Sequence, residues 1–235
     1  MNELKKLGIK HRTDKAYRHF YMDEVYFPLF KNLKQSKIKI LEIGCGRFGG
    51  SVKTWKDFFI NGSVYLFDPF FIRGQDEIGP FNGDKQDIEK YGITVIQGNQ
   101  LSREDLASAS QYCEDGFDFI IDDGAHMNDA IQISLASLFP FLKPKGCYII
   151  EDLNTARRRT PEDVNHWLNN SENVFCDEKI YHKDEIHILD SIKQYEDDKT
   201  WNSKLLSQKE KNYLTDNISN ISVHPSEMIC LINKK

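Results

Sequence analysis

Two rhythms of apolar and polar positions alternate along this chain. Short apolar runs end in glycine or acidic residues, and between them lie stretches whose apolar positions recur at helical spacing. The first run, 37–43, becomes apolar toward its end and enters Gly44-Cys45-Gly46-Arg47-Phe48-Gly49-Gly50. Residues 51–60 then set Val52, Trp55, Phe58 and Phe59 on one side of a helix. A second strand, 63–67, ends at Asp68, and a third, 93–97, ends in Gly98-Asn99-Gln100. A fourth, 117–121, runs into Asp122-Asp123-Gly124-Ala125-His126, and a fifth, 147–150, into Glu151-Asp152. Helices are predicted over 85–90, 102–112 and 127–142, with Ser102 and Asp105 spaced as a variant capping box. Pro144-Lys145-Gly146 is read as the turn before the fifth strand. Two last strands, 221–223 and 228–232, are joined tightly through Pro225-Ser226 and should be antiparallel.

The two remaining stretches are more polar. Residues 1–36 carry Tyr17, Phe20, Tyr21, Tyr26, Phe27 and Phe30, which predicts amphipathic helices capping a sheet edge, with a helix start at Thr13-Asp14. Residues 156–220 are helix-biased, with Trp167, Phe175, Tyr181 and Trp201 as sparse anchors. Their apolar content is too thin for an independent core, so they read as an insertion that helps form a substrate site. Five β/α units, an insertion and a terminal hairpin give an α/β fold: a doubly wound, mostly parallel seven-stranded sheet with an antiparallel edge strand. A single domain over 1–235 is expected.

Composition narrows the function classes. A net charge of -5 argues against a general nucleic-acid binder, with Arg157-Arg158-Arg159 the one basic cluster. No apolar run is long enough to span a bilayer, and the N-terminal residues lack the apolar core of a signal peptide, so a cytoplasmic protein without membrane contact is expected. Five scattered cysteines with no C-x-x-C pair fit neither a disulfide framework nor a zinc site. The aromatic N-terminal helices leave open a homo-oligomer.

Three constellations carry chemistry. Gly44 to Gly49 satisfies G-x-G-x-x-G, a pattern shared by dinucleotide and S-adenosylmethionine sites. Glu42 just before it repels a pyrophosphate but suits the ammonium of a methionine moiety, and Asp68 stands where an acid commonly binds ribose hydroxyls. An NAD-dependent oxidoreductase is the competing reading. Asp123 and the Glu151-Asp152 pair lie at strand ends, where ligands bind in such sheets. Three carboxylates without cysteine favour a hard divalent ion, Mg²⁺ or else Ca²⁺ or Mn²⁺. His126, at the start of a helix, is placed to be a neutral general base, whereas His182 and His187 are read as solvated.

Thr13-Asp14-Lys15, Leu41-Glu42-Ile43-Gly44-Cys45-Gly46, Gly98-Asn99-Gln100, Ile121-Asp122-Asp123-Gly124-Ala125-His126 and Tyr148-Ile149-Ile150-Glu151-Asp152-Leu153 together resemble a known group. It is the metal-dependent class I S-adenosylmethionine methyltransferases with a Rossmann-like fold, in particular the macrolide sugar O-methyltransferases of the mycinamicin type, with the cephalosporin hydroxylase-like proteins related. The resemblance implies Mg²⁺ held by Asp123, Glu151 and Asp152, with His126 as base. It also implies Thr13 and Lys15 at the carboxylate end of the cofactor, Gln100 at the adenine side, and Asp122 as a cofactor or structural contact. The acceptor it implies is a hydroxyl of a sugar or other natural product; an amine or a catechol stays open. Asn99 and Ala125 depart from the family's more usual Asp and Ser, and the insertion matches nothing in it.

Overall fold

A computed structural model describes residues 1–46, 48–70, 85–156 and 185–235. Arg47, the Arg157-Arg158-Arg159 cluster, Trp167, Phe175, Tyr181 and His182 lie outside the described residues. The chain forms two compact units, Met1–Gln97 and Gly98–Lys235. Among the described residues there are seven strands, and the mostly parallel α/β architecture read from the sequence is formed.

In the first unit, β1 (Lys39–Ile43) pairs in parallel with β2 (Ser63–Asp68), and β2 with β3 (Thr94–Gln97). Their apolar runs are near-continuous because both faces are covered: Ile40, Leu41, Ile43, Val64, Leu66 and Phe67 are all buried. The N-terminal residues form α1 (Glu3–Lys10), α2 (Asp14–Tyr17) and, after a π turn at Met22–Tyr26, α3 (Phe27–Phe30). Their aromatic side pairs with α4 (Gly50–Phe58) and the residue after it: Tyr26 and Phe30 stack around Trp55 at ring distances of 4.9 and 5.6 Å, and Phe30 meets Phe59 at 5.0 Å. Such edge and tilted pairs add to the burial of area. Gly50 permits the approach, since a Cβ there would stand 2.6 Å from the His11 carbonyl oxygen. α2 does begin after Thr13, but the Thr13 side chain makes no capping hydrogen bond. α5 (Lys85–Lys90) forms where the pattern predicts it.

In the second unit, β4 (Phe117–Asp122) pairs in parallel with β5 (Leu142–Ile150). β5 then pairs antiparallel with β7 (Cys230–Lys234), and β7 with β6 (Ile218–Val223). The antiparallel hairpin is therefore real, though β6 starts earlier and β7 later than the pattern suggests. The expected turn at Pro144-Lys145-Gly146 lies inside β5: Phe117 faces Leu142 and Phe119 faces Cys147, so the intervening residues bulge out, with Lys145 at φ 66°. α6 (Arg103–Tyr112) is capped by the Ser102 hydroxyl, which accepts from Asp105 N–H at 3.1 Å. The box is not closed, because Asp105 Oδ2 instead accepts from Asn99 N–H at 2.8 Å. The helix predicted to run to residue 142 stops earlier: α7 spans Asn128–Leu138, and a 3-10 turn at Phe139–Phe141 takes up Pro140. Two further helices, α8 (Ile188–Asp198) and α9 (Gln208–Asn217), fall in the insertion. Among the described residues no helix is long and apolar enough to cross a membrane.

Candidate functional site

The first unit builds a glycine turn beyond β1. Gly44, Gly46 and Gly49 have φ of 97°, 53° and 61°, a backbone region that a glycine enters freely. Gly44 N–H donates to the Phe67 carbonyl at 2.9 Å, and Cys45 N–H to Asp68 Oδ2 at 2.8 Å. The end of β2 thus ties down the turn. Asp68 Oδ1 accepts from Phe70 N–H at 2.7 Å. Burial raises the Asp68 carboxyl, opposed by these two N–H donors. Each carboxylate oxygen has a second acceptor position, which is what a ribose diol needs.

Glu42 is fully buried, and its own chain supplies its partners. Trp55 Nε1 donates to Oε2 at 2.7 Å, and Lys15 Nζ stands 3.5 Å from Oε1. The buried carboxylate expected beside a ligand ammonium therefore faces the ammonium of Lys15. A buried charge needs such a partner. Lys15, expected at the carboxylate end of a cofactor, is itself buried, as is Thr13.

The second unit gathers the acids. Asp122 pairs with Ile150 in the β4–β5 register, so the Asp123 and Glu151-Asp152 loops leave neighbouring parallel strands at the same level. One ligand atom each from Asp123, His126 and Asp152 lie within 4.8 Å of one another. His126 Nε2 is 3.8 Å from Asp123 Oδ1 and 3.8 Å from Asp152 Oδ2. All three side chains are partly open to solvent. Two carboxylates and an imidazole, with no thiolate, form a donor set for a hard or borderline divalent cation. Glu151, expected as a third carboxylate ligand, is buried and is not one of the gathered three; its N–H donates to the Asp122 carbonyl at 3.0 Å.

The resemblance implies an adenine-side contact for Gln100 and a cofactor or structural contact for Asp122. The structure places both inside the unit, where they bind each other. Gln100 Nε2 donates to Asp122 Oδ1 at 2.8 Å, and Tyr148 OH donates to Oδ2 at 3.0 Å. The Ser134 hydroxyl makes a short hydrogen bond to the same Oδ2. Burial pushes the Asp122 carboxyl up to about 6, against the pull of the Ser134, Tyr148 and Gln100 donors. Burial, and next Asp122 itself, drives the Tyr148 phenol well above its usual value. Sequence reasoning misses Ser134 and Tyr148. Their only signals are a serine in the buried run of α7 and a tyrosine in an otherwise aliphatic strand. His187 caps α8, accepting from Leu189 N–H at 3.2 Å, instead of standing in solvent.

No family model matches the chain. The chain is 33% identical over 162 residues to the mycinamicin VI 2''-O-methyltransferase of Micromonospora griseorubida, covering 66% of this chain and 37% of that protein. It is 32% identical over 161 residues to the demethylmacrocin O-methyltransferase of Streptomyces fradiae, again covering 66% and 37%. The fold matches the MycE methyltransferase from the mycinamycin biosynthetic pathway, solved with Mg and SAH, at a TM-score of 0.68 and 25% identity. That match covers 99% of this chain and 55% of that one, so the chain spans about half the length of the relative of known structure. The chain's relatives are thus macrolide sugar O-methyltransferases, and its fold is that of a class I methyltransferase.

Proposed function

We propose that this chain is an S-adenosylmethionine-dependent, divalent-metal-dependent O-methyltransferase whose acceptor is a hydroxyl of a sugar or glycosylated natural product. The observation that carries the reading is the meeting of Asp123, His126 and Asp152 on two strand-end loops of this fold. The names of the relatives supply the acceptor class, and Mg and SAH in the matched structure support the cofactors. A biosynthetic enzyme of this kind works in the cytoplasm.

The reaction forms a carbon–oxygen bond between the acceptor and the sulfonium methyl as the carbon–sulfur bond breaks. Asp123 and Asp152 would hold the cation, with Glu151 beside them. When bound, the cation supplies Lewis acidity that lowers the pKa of the acceptor hydroxyl. His126 Nε2, already flanked by both carboxylates, accepts the proton that the hydroxyl gives up. In the first unit, the glycine turn, tied to Asp68, would hold the donor, and Glu42 would act by keeping Lys15 and Trp55 in place. The insertion 156–220 would select the acceptor.

The test is an S-adenosylhomocysteine-release assay with S-adenosylmethionine and Mg²⁺ over glycosylated macrolides, free sugars, catechols and amines. Turnover on a sugar hydroxyl that stops on chelation is the expected result. Turnover that survives chelation removes the metal from the reading, and turnover confined to amines removes the O-methyl assignment.

A further inference from the structure

We propose that Gln100 is a positioning residue that holds the Asp123–His126 loop in register with the end of β4. Through that loop it sets the geometry of the metal and proton-accepting groups. The inference rests on the metal reading above. All of its residues belong to the second unit.

The Gln100 side chain is buried and its amide is used at both ends. Nε2 donates to Asp122 Oδ1 at 2.8 Å and approaches Ser134 Oγ at 3.2 Å. Oε1 accepts from the backbone N–H of Ala125 at 2.9 Å. Only one orientation of the amide satisfies both neighbours. The carboxylate requires a donor, and the N–H of Ala125 requires an acceptor. A flipped amide would set oxygen against oxygen and N–H against N–H.

Ala125 is the residue just before His126, whose φ of 50° is left-handed. A histidine holds that conformation only where its surroundings enforce it. The bond from Ala125 N–H is such a restraint, and it fixes the segment between Asp123 and His126. Asp122 extends the same brace to the second loop, because its carbonyl accepts from Glu151 N–H at 3.0 Å. One buried network of Gln100, Asp122, Ser134 and Tyr148 therefore reaches both acid-bearing loops. Outer partners of this kind orient the groups that hold a metal, and their loss typically weakens metal affinity or activity about 10–100-fold.

The experiment measures Mn²⁺ binding by calorimetry, with circular dichroism melts alongside. Gln100→Leu removes both bonds and should weaken Mn²⁺ binding about 10–100-fold. Gln100→Glu alone sets two carboxylates together and should weaken it as much. The exchanged pair, Gln100→Glu with Asp122→Asn, restores a donor facing an acceptor at each end. It should return the affinity to within about threefold of the parent, and this rescue carries the test if the leucine variant fails to fold. Mn²⁺ affinity in Gln100→Leu equal to the parent's overturns the proposal, and so does a folded exchanged pair that stays as weak as Gln100→Glu. Loss of S-adenosylmethionine affinity with Mn²⁺ binding unchanged assigns Gln100 to the donor instead, and likewise overturns it. A parent protein that binds no Mn²⁺ fails the metal reading itself, and the proposal falls with it.

Discussion

The glycine turn of the first unit and the acid loops of the second both use left-handed backbone, but with different residues. In the turn, positive φ falls mainly on Gly44, Gly46 and Gly49. In the acid loops it falls on His126 and Asp152, at φ 50° and 51°. For a residue with a Cβ this region costs about 1–2 kcal/mol. The turn needs its shape and leaves the side chains out. The loops need both the shape and the side chains, so hydrogen bonds around them must hold the strain. Ala125 N–H bonds to Gln100 on one loop, and Leu153 N–H bonds to the Met228 carbonyl at 2.9 Å on the other.

The largest effect should come from the side chain that justifies the strain. His126→Ala should lower turnover about 10²–10⁴-fold, the range for a lost general base, with S-adenosylmethionine affinity unchanged. Single-turnover methyl transfer measures this, and a rate equal to the parent's removes His126 as base. Mn²⁺ affinity of the same variant tells base from ligand, because its Nε2 lies equally near both carboxylates.

In the turn, space and backbone strain can be separated. A Cβ on Gly50 would meet the His11 carbonyl oxygen at 2.6 Å and Thr13 N at 3.0 Å, both backbone atoms that move only with their segment. Gly50→Ala should cost about 2–3 kcal/mol, as overpacking does. A Cβ on Gly46 would meet nothing within 4 Å, but its φ is 53°. Gly46→Ala should therefore cost about 1–2 kcal/mol from backbone strain alone. Urea titrations in which Gly46→Ala proves the costlier would reverse this account of the turn.

Most of what is repetitive in this fold is legible in the sequence. The strands ending at Asp68, Asp122 and Ile150 show as apolar runs stopped by polar residues, and the closing hairpin shows through Pro225-Ser226. The juxtaposed acids are legible too, since residues at the ends of adjacent parallel strands must come together. What stays hidden depends on partners distant in sequence. Nothing local shows that Gln100 turns inward to Asp122, or that Lys15 occupies the carboxylate of Glu42. The left-handed φ of His126 and Asp152 is hidden for another reason: neither residue type announces it as glycine does. The bulge in β5 reads as a turn because Pro144-Lys145-Gly146 has turn chemistry, and only the pairing with β4 shows the strand continuing through it.

The strain at His126 can be checked directly. If the loop around it is held left-handed, glycine there should be easier on the fold than alanine. His126→Gly should be more stable than His126→Ala by about 1 kcal/mol, although both lose the imidazole. Equal urea midpoints for the two would mean that the loop relaxes once the side chain is gone, and that the imidazole itself helps set its conformation.

The smallest effect contrasts how the two units keep a carboxylate. Asp122 in the second unit is buried, and its carboxyl is pushed up to about 6. Asp57 in the first unit sits nearer the surface. Desolvation raises its carboxyl, but hydrogen bonds from Lys10, His11 and Tyr91 outweigh this and hold it at about 2, below its ordinary 3.8. The Lys10 bond is 2.7 Å, and those of His11 and Tyr91 are both 2.8 Å. A carboxylate with a folded pKa below its unfolded value stabilises the fold above the unfolded pKa and loses that contribution as pH falls through the folded one. Asp57→Asn should therefore be less stable than the parent from about pH 4 upward, with the gap closing toward about pH 2. Because Asp57 is partly open to solvent and its Lys10 partner is exposed, screening keeps the gap at or below about 1 kcal/mol. A gap that instead widens on acidification would mean that the ion pair does not tether α1 to α4, and that the aromatic contacts around Trp55 hold the N-terminal helices alone.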